Sequence, residues 1–368
     1  MVTELKGVIM INVTKTYLPQ NEKYKKYVDE IFKNGWITNN GPFVKELEKR
    51  LEKYLGVKNL ILVSNGTVAL EIAYRTLDLK GYVITSPFSF VATTSSLVTN
   101  NLRPIFSDIH KKTFNIDPDS IVNRITPNTS AIVPVHVFGN ACEVEIIDKI
   151  AKENDLKVVY DAAHAFDVKY KGGSVLNYGD ISTLSFHATK LFHTIEGGAL
   201  IINDDKLAEK ARFLINFGIQ DSENIPHLGT NAKMNEFEAA MGLCVLDDID
   251  LIKDKRAQLV NTYQQELNGV VQLQEQNAVA TQNHSYFPIL TKSEDELLLL
   301  INNLNKNGVN PRRYFYPSLD TLSYIEPKQN MPVSRDIASR IACLPLYPDL
   351  NKNDQLKIIN IIKNSIIF

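Results

Sequence analysis

The chain has 368 residues, of which 44% are hydrophobic and 22% charged, as in an ordinary globular protein of one or two domains. Forty basic and 42 acidic residues leave a formal net charge of −2, and the scattered basic residues indicate neither a nucleic-acid nor a membrane surface. No apolar run approaches the roughly 20 residues of a membrane span. Residues 1–10 lack the pattern of a signal peptide, so we expect a cytoplasmic protein.

The cysteines do not suggest a disulfide framework or a metal site. Cys142, Cys244 and Cys343 are odd in number, far apart and surrounded by apolar residues. This pattern predicts buried thiols in a reducing compartment, with no metal centre.

The first elements of the chain are two predicted helices joined by a loop. Residues 21–33 have helical apolar spacing, and a second amphipathic pattern runs from Phe43 to about Gly56. The loop between them, 34–42, contains the only tryptophan of the chain, Trp36. Packing in the core or at its rim is the structural role open to Trp36.

A strand, a small polar turn and a helix follow in immediate succession. Residues 60–63 form a short apolar run, and Ser-Asn-Gly-Thr at 64–67 leads into a helical pattern. The start of a helix aims backbone N–H groups at an anion, so the turn 64–67 is by itself a weak signal for an anion site. Serine and asparagine also cap helices where no ligand is present.

Further strands are predicted at 83–86, 104–109 and 129–136, and a helix at 145–154. Two aromatic residues, Phe88 and Phe90, follow the first of these strands. Either could offer a face to a flat ring, or pack in the core.

Residues 157–160 predict another strand, which leads directly to Asp161. An acid at the carboxyl end of a parallel strand points into the cleft of an α/β sheet. Capping of the next helix is the alternative role for Asp161.

A lysine lies in the connection between two predicted strands. The strand at 181–184 ends in Ser-Phe-His-Ala-Thr-Lys at 185–190, and a Gly-Gly pair precedes the strand at 199–202. Desolvation between buried strands lowers a lysine pKa, and the neutral amine is the form that attacks a carbonyl. Lys190 is therefore a candidate nucleophile, with a solvated surface lysine as the alternative.

The last third of the chain begins with predicted helices. A turn and helix at 229–240 contain Asn231, a candidate helix cap, and a long helical pattern runs from 243 to 263. A strand at 286–290 and a helix at 293–307 predict a smaller C-terminal domain.

The segment 309–317 that follows contains Arg312, Arg313 and Tyr316. Arginine suits phosphate because its planar fork bonds two oxygens at once, although a solvated arginine pair is common.

These motifs occur in order from about residue 18 to 349. Together, the segments 64–67, 161–166, 185–198 and 229–240 resemble the DegT/DnrJ/EryC1/StrS family of sugar aminotransferases, which use pyridoxal 5′-phosphate (PLP). The resemblance implies the aspartate aminotransferase fold, PLP fold type I. Its large mixed-sheet α/β/α domain would be residues 1–245, and its smaller α+β domain 246–368. The patterns alone predict a doubly wound α/β domain.

The resemblance also implies a role for each candidate. Lys190 would carry PLP as a Schiff base, and Asp161 would keep the pyridine nitrogen protonated. The other cofactor contacts that it implies are Gly66, Thr67 and Ser185 at the phosphate, Phe90 (or Phe88) on the ring, His164 beside the ring hydroxyl, and Asn231 at the phosphate of the other subunit.

The implied partners are a nucleotide-linked keto sugar, glutamate as amino donor, and a second copy of the chain that completes a shared active site in a homodimer. The candidate substrate contacts are Trp36, Arg312, Arg313 and Tyr316. The segments 36–42, 161–166 and 313–317 most resemble those family members that act in the synthesis of O-antigen sugars, and this resemblance implies amination at C4 of a dTDP-4-keto-6-deoxyhexose.

Amination at C3 of a dTDP-3-keto-6-deoxyhexose is the first alternative. A non-catalytic PLP-binding regulatory protein is the alternative from another class. The presence of Lys190 and the lack of a basic helix-turn-helix extension argue against a regulatory protein.

Overall fold

The computed structural model describes residues 10–366. The sequence predicts no signal peptide in residues 1–10, and all but the last of these lie outside the described residues. The strands are β1 (Ile11–Asn12), β2 (Leu60–Val63), β3 (Tyr82–Thr85), β4 (Arg103–Phe106), β5 (Thr129–Val133), β6 (Lys157–Asp161), β7 (Lys169–Tyr170), β8 (Gly173–Ser174), β9 (Ile181–Ser185), β10 (Gly198–Ile202), β11 (Gln272–Leu273), β12 (Pro288–Leu290), β13 (Val309–Asn310) and β14 (Ile341–Cys343).

The helices are α1 (Asn21–Asn34), α2 (Pro42–Leu55), α3 (Gly66–Thr76), α4 (Val91–Thr99), α5 (Pro118–Val122), α6 (Val144–Glu153), α7 (Asp205–Leu214), α8 (Glu236–Asp247), α9 (Ile249–Leu267), α10 (Glu294–Lys306), α11 (Pro332–Arg340) and α12 (Lys352–Ser365). Among the helices of residues 10–366, none combines the length and the apolar composition that a membrane span needs.

Seven strands form the central sheet, in the order β2-β10-β9-β6-β5-β3-β4. Strand β10 is antiparallel to both of its neighbours, and the other adjacent pairs are parallel. Short apolar runs such as Leu60–Val63 are buried at every position, as expected for a sheet that is covered on both faces. The edge strand β4 contains Pro104, a residue that is usually confined to sheet edges.

Alternate residues of each strand face two separate apolar clusters. Leu60 and Leu62 belong to the cluster that contains residues of α2, α6 and α8, whereas Ile61 and Val63 belong to the cluster that contains residues of α3 and α7. Helices therefore cover both faces of a mixed sheet, which confirms the predicted α/β/α architecture of the large domain.

The three cysteines are buried and none forms a disulfide, as the sequence predicts.

The direction of the strands decides where ligands can bind. Strands β2, β3, β6 and β9 point the same way, so their carboxyl ends meet at one edge of the sheet. Asp161 is the last residue of β6 and Ser185 the last of β9, and the turn 64–67 follows β2. This edge is the usual ligand site of an open α/β sheet.

The smaller unit contains the antiparallel sheet β11-β12-β14, with α10, α12 and the second half of α9 around it. Strand β1 pairs with β13, so Ile11 belongs to this core. Ile249 and Ile252 of α9 pack in the large core, whereas Leu259 packs in the small one. The change from the large core to the small one thus occurs within α9, and the domain boundary at residue 245 stays a prediction.

The single helical pattern predicted from 243 to 263 is wrong in one respect, because the structure divides it at Asp248. With φ of −102° and ψ of 6°, Asp248 ends α8. Its carboxylate accepts hydrogen bonds from the Tyr17 hydroxyl at 3.1 Å and from Lys23 Nζ at 3.3 Å. The apolar periodicity continues across the break because both helices pack on the large core.

Candidate active site

A cavity of about 610 Å³ opens at the carboxyl edge of the central sheet. Its walls come from the turns after β2, β3, β6 and β9 and from the segment 312–315 of the smaller unit. It brings together eight residues that the sequence singles out, namely Gly66, Thr67, Phe90, Asp161, His164, Ser185, Lys190 and Arg312.

The turn after β2 forms one end of this cavity. Helix α3 begins at Gly66, and the Asn65 side chain accepts a hydrogen bond from an N–H of its first turn at 2.9 Å. A Cβ on Gly66 would lie 2.7 Å from the Cβ of Ser185, and one on Gly198 would lie 2.7 Å from the main chain of Asn65. Glycine at both positions lets the start of α3, which carries the Thr67 hydroxyl, lie close to the hydroxyl of Ser185. Such a donor set suits a phosphate group.

Asp161 lies in another wall of the cavity and is buried. Its Oδ2 accepts a hydrogen bond from Thr93 Oγ1 at 2.7 Å, and its Oδ1 accepts one from the Ala163 N–H at 3.1 Å. Burial raises the pKa of this carboxyl group, while the two hydrogen bonds and the nearby Lys190 act in the opposite direction. The hydrogen bonds favour the ionised form.

Lys190 lies in the turn between β9 and β10 and lines the same cavity. The pKa of its amine is lowered from 10.5 to about 8, chiefly because the amine is buried; Asp161 opposes this shift and the positive charge of Arg312 adds to it. Its Nζ lies 5.8 Å from the ring centroid of Tyr286. The amine thus meets the electrostatic requirement for a nucleophile at moderate pH.

We expect the chemical reactivity of Lys190 to follow this lowered pKa. Near pH 8 about half of its amines would be neutral, against about 0.3% for a lysine of ordinary pKa. In the protein without ligands, the rate of acetylation at Lys190 should therefore reach half of its maximum near pH 8. Peptide mass spectrometry after brief treatment with acetic anhydride at a series of pH values measures this rate, with the exposed Lys169 as internal comparison. A midpoint above pH 10 would contradict the assignment.

His164 is buried behind the lysine in an aromatic wall. Its ring stacks against Phe138 and Phe315, with interplanar angles of 7° and 8°. Its Nδ1 accepts a hydrogen bond from the Phe138 N–H at 3.3 Å, and burial lowers its pKa well below the usual value. The imidazole is therefore neutral and serves as a hydrogen-bonding and stacking group.

The smaller unit holds the main chain of His164 in place. The side chains of Asn283 and Ser285 each donate to the His164 carbonyl oxygen at 2.8 Å. Arg256, itself buried, donates to the carbonyl oxygens of His284 at 2.9 Å and Ser285 at 2.6 Å. This chain of contacts, the 283–285 tie, joins the core of the smaller unit to the loop that carries Asp161 and His164.

The two phenylalanines after β3 occupy different environments. Phe88 is completely buried and packs edge-on against Phe114, Phe138 and Phe315. Phe90 is 46% exposed and lines the cavity. Of the two candidates, Phe90 is the one placed to meet a ligand, and its stacking on a cofactor ring stays a prediction.

Four predicted site residues do not line this cavity within one chain. Arg313 donates to Glu294 and to the Ser339 carbonyl oxygen, both at 2.6 Å, and its guanidinium lies over the exposed ring of Tyr316. The structure therefore turns Arg313 away from the cavity. The others, Tyr316, Trp36 and Asn231, are exposed outside it.

Four residues near the site carry no assigned role in the sequence analysis, namely Thr93, Asn283, Ser285 and Tyr286. Thr93 lies one helical turn after Phe90, and this spacing is the only local signal that could have found it. The other three belong to the smaller unit, and only the tertiary structure brings them to the site.

Comparisons with known proteins agree with this geometry. Residues 19–363 match the DegT/DnrJ/EryC1/StrS aminotransferase family. The chain is 44% identical to the dTDP-4-amino-4,6-dideoxy-D-glucose transaminase of Shigella dysenteriae, covering 93% of this chain and 95% of the relative. It is 40% identical to the Escherichia coli protein of the same name, covering 95% of this chain and 96% of the relative.

Among solved structures, the crystal structure of DesI in the presence of its TDP-sugar product is similar, with a TM-score of 0.92 and 30% identity. The match covers 98% of this chain and 94% of DesI. Helicobacter pylori PseC, an aminotransferase involved in the biosynthesis of pseudoaminic acid, has a TM-score of 0.88 and 25% identity over 97% of this chain and 99% of PseC.

These matches confirm the predicted type I fold and the predicted class of enzyme. They extend over nearly the whole chain and include the turns that line the cavity. The chain belongs to the DegT/DnrJ/EryC1/StrS aminotransferase family and is an aminotransferase.

Proposed function

We propose that this aminotransferase uses PLP to move an amino group from glutamate to C4 of dTDP-4-keto-6-deoxyglucose, giving dTDP-4-amino-4,6-dideoxyglucose. The observation that carries the proposal is that an acid, a lysine of lowered pKa and a phosphate-binding turn line one cavity. The choice of sugar is supported by the two relatives at 44% and 40% identity, whose names state this product.

The residues of the cavity fit PLP. The start of α3 and the hydroxyls of Thr67 and Ser185 would hold its phosphate, since the lack of a Cβ at Gly66 lets the helix start lie directly against Ser185. The exposed ring of Phe90 would stack on the flat pyridine ring. Asp161 would hold the ring nitrogen and His164 would lie beside the ring hydroxyl.

When bound, the cofactor supplies an electron sink for the carbon atom that carries the amino group. Asp161, whose hydrogen bonds from Thr93 and Ala163 favour the ionised form, would keep positive charge on the ring nitrogen. Lys190 Nζ, with a pKa of about 8, would accept a proton from the glutamate carbon that carries the amino group. The same amine would release that proton again near neutral pH. General acid–base help of this kind typically contributes about 10²–10⁴-fold.

Arg312 is proposed to hold an anionic group of a substrate. It is exposed in the cavity wall, and its guanidinium lies 4.4 Å from the ring centroid of Tyr314. Of the two neighbouring arginines, Arg313 pairs with Glu294, whereas no salt bridge among residues 10–366 involves Arg312, so the donors of Arg312 are available to a diphosphate.

The proposed assembly is a homodimer whose active sites are shared. Asn231 is exposed and lies outside the cavity of its own chain, as a residue that serves the partner's phosphate must. Trp36 and Tyr316 remain proposed substrate contacts because their side chains are accessible at the surface, with exposed fractions of 49% and 50%.

Product analysis tests the proposed reaction. The protein with PLP and glutamate is incubated with dTDP-4-keto and dTDP-3-keto-6-deoxyhexoses, and NMR locates the new amine. We expect amination at C4 of the 4-keto substrate, together with loss of the yellow absorbance of the lysine-bound cofactor when glutamate is added. An amine at C3 would overturn the positional assignment, and a band unchanged by glutamate would overturn glutamate as donor.

A further inference from the structure

Two buried hydroxyl groups lead to the carboxylate of Asp161. Thr93 Oγ1 lies 2.7 Å from Asp161 Oδ2, and Ser89 Oγ lies 2.6 Å from Thr93 Oγ1. The exposed fractions are 3% for Ser89, 0% for Thr93 and 6% for Asp161. Bulk water therefore competes little for these hydrogen bonds, and they form a continuous chain of three side chains.

When Asp161 is ionised, the hydrogen bonds that link Ser89, Thr93 and Asp161 have one donor-to-acceptor direction. A carboxylate has no hydrogen to give, so Thr93 donates to it. The single hydroxyl hydrogen of Thr93 is then used, and Ser89 must donate to Thr93. Both O–H dipoles consequently point toward the carboxylate, and successive hydrogen bonds of this kind polarise and strengthen one another.

Asp161 is also fixed in orientation. Its second oxygen, Oδ1, is held by the Ala163 N–H at 3.1 Å. A carboxylate anchored at both oxygens cannot rotate about its Cβ–Cγ bond, yet each oxygen keeps a further lone pair for a ligand. The N–H of Thr93 donates to the Phe90 carbonyl oxygen at 3.2 Å, so the first turn of α4 sets the positions of both the acid and the exposed aromatic ring.

We infer that Thr93 is a positioning residue for the amino transfer, with Ser89 as its hydrogen-bond donor. Thr93 touches neither substrate nor cofactor; it keeps Asp161 ionised and aimed at the atom that Asp161 serves. The inference rests on the proposed use of PLP, because that atom is the nitrogen of the cofactor ring.

The chain offers a matched pair of variants for the test. Thr93→Val keeps the shape of the side chain and removes the hydroxyl. Thr94→Val does the same at the next position, where the hydroxyl is equally buried but has no hydrogen-bond partner. The readouts are kcat, the melting temperature and the ¹⁵N chemical shift of the ring nitrogen of labelled PLP, which reports directly whether that nitrogen carries a proton.

We expect Thr93→Val to lower kcat by about 10-fold or more, as for the loss of a hydrogen bond to a charged group, and to move the ¹⁵N signal toward that of an unprotonated ring. Thr93→Ser should restore both, and Thr94→Val should change neither. A purely structural role for Thr93 would lower the melting temperature and leave the ¹⁵N signal of the bound cofactor unchanged, which would overturn the inference.

The test still gives an answer if Thr93→Val does not fold or if the protein does not bind PLP. If Thr93→Val does not fold, Ser89→Ala removes only the donor to Thr93 and should shift the ¹⁵N signal in the same direction by a smaller amount; an unchanged signal would overturn the inference. If the wild-type protein does not bind PLP, the proposed cofactor itself is overturned. A failure of the inference alone would show normal PLP binding with no difference between the Thr93 and Thr94 variants.

Discussion

Replacement of Lys190 by alanine is expected to abolish amino transfer while leaving the fold intact. The variant loses the buried amine whose pKa is lowered to about 8, and the loss at the proton-transfer step alone should be about 10²–10⁴-fold. Steady-state assays with glutamate and the keto sugar measure the effect, and Lys169→Ala, on an exposed strand residue, is the control that should retain activity. Borohydride reduction and peptide mapping of the wild type should place the cofactor label on Lys190, and a label on another lysine would contradict this role.

The same variant tests the shared active site. Chains carrying Lys190→Ala and chains carrying Asn231→Ala should each be inactive or weak alone. In a mixed dimer, one site would combine an intact Lys190 with the intact Asn231 of the other chain. A random mixture should then regain about a quarter of wild-type activity. If mixing restores nothing, Asn231 does not act across the interface.

Asp161→Asn should have the second-largest effect. Asparagine keeps the shape of the side chain but removes its negative charge, so nothing holds the proton on the cofactor nitrogen. We expect kcat to fall by about 10²-fold or more. This loss is larger than that from Thr93→Val, because Asp161→Asn removes the negative charge itself, whereas Thr93→Val removes only a hydrogen bond to it.

In the Asp161→Asn variant, the fall in kcat should be accompanied by a shift of the ¹⁵N signal of labelled PLP toward that of an unprotonated ring. Asp155→Asn is the control, since Asp155 is exposed in the turn before the same strand and has a φ of 53°, which asparagine also tolerates. Wild-type kcat in Asp161→Asn would remove Asp161 from the mechanism.

Much of this architecture could be predicted because its signals are local. The apolar run at β2 and the small residues that follow it identify a strand, a turn and a helix start without tertiary information. Asp161 and Lys190 could be found because each follows a buried strand, and parallel strands deliver their carboxyl ends to one edge. The cofactor assignment depended on resemblance, since neither spacing nor composition specifies PLP.

The supporting contacts could not be predicted because they join distant parts of the chain. Thr93 is 68 residues from Asp161, and Asn283 is 119 residues from His164. The choice between Phe88 and Phe90 depended on how deeply tertiary packing buries each ring, since Phe315 and other distant aromatic residues enclose Phe88 and leave Phe90 half exposed. The break at Asp248 was hidden for a related reason: its partners, Tyr17 and Lys23, lie more than 200 residues earlier.

The 283–285 tie has a consequence for the solution behaviour of the enzyme. Asn283 and Ser285 donate to one carbonyl oxygen, and Arg256 donates to three others, those of His284, Ser285 and Leu346. The acceptors in these contacts are all neutral carbonyl oxygens. Dissolved ions screen pairs of exposed charges but have little access to buried contacts between a donor and a neutral oxygen. The attachment of the smaller unit to the loop of His164 is therefore insensitive to ionic strength, unlike the ion pairs scattered over the exterior.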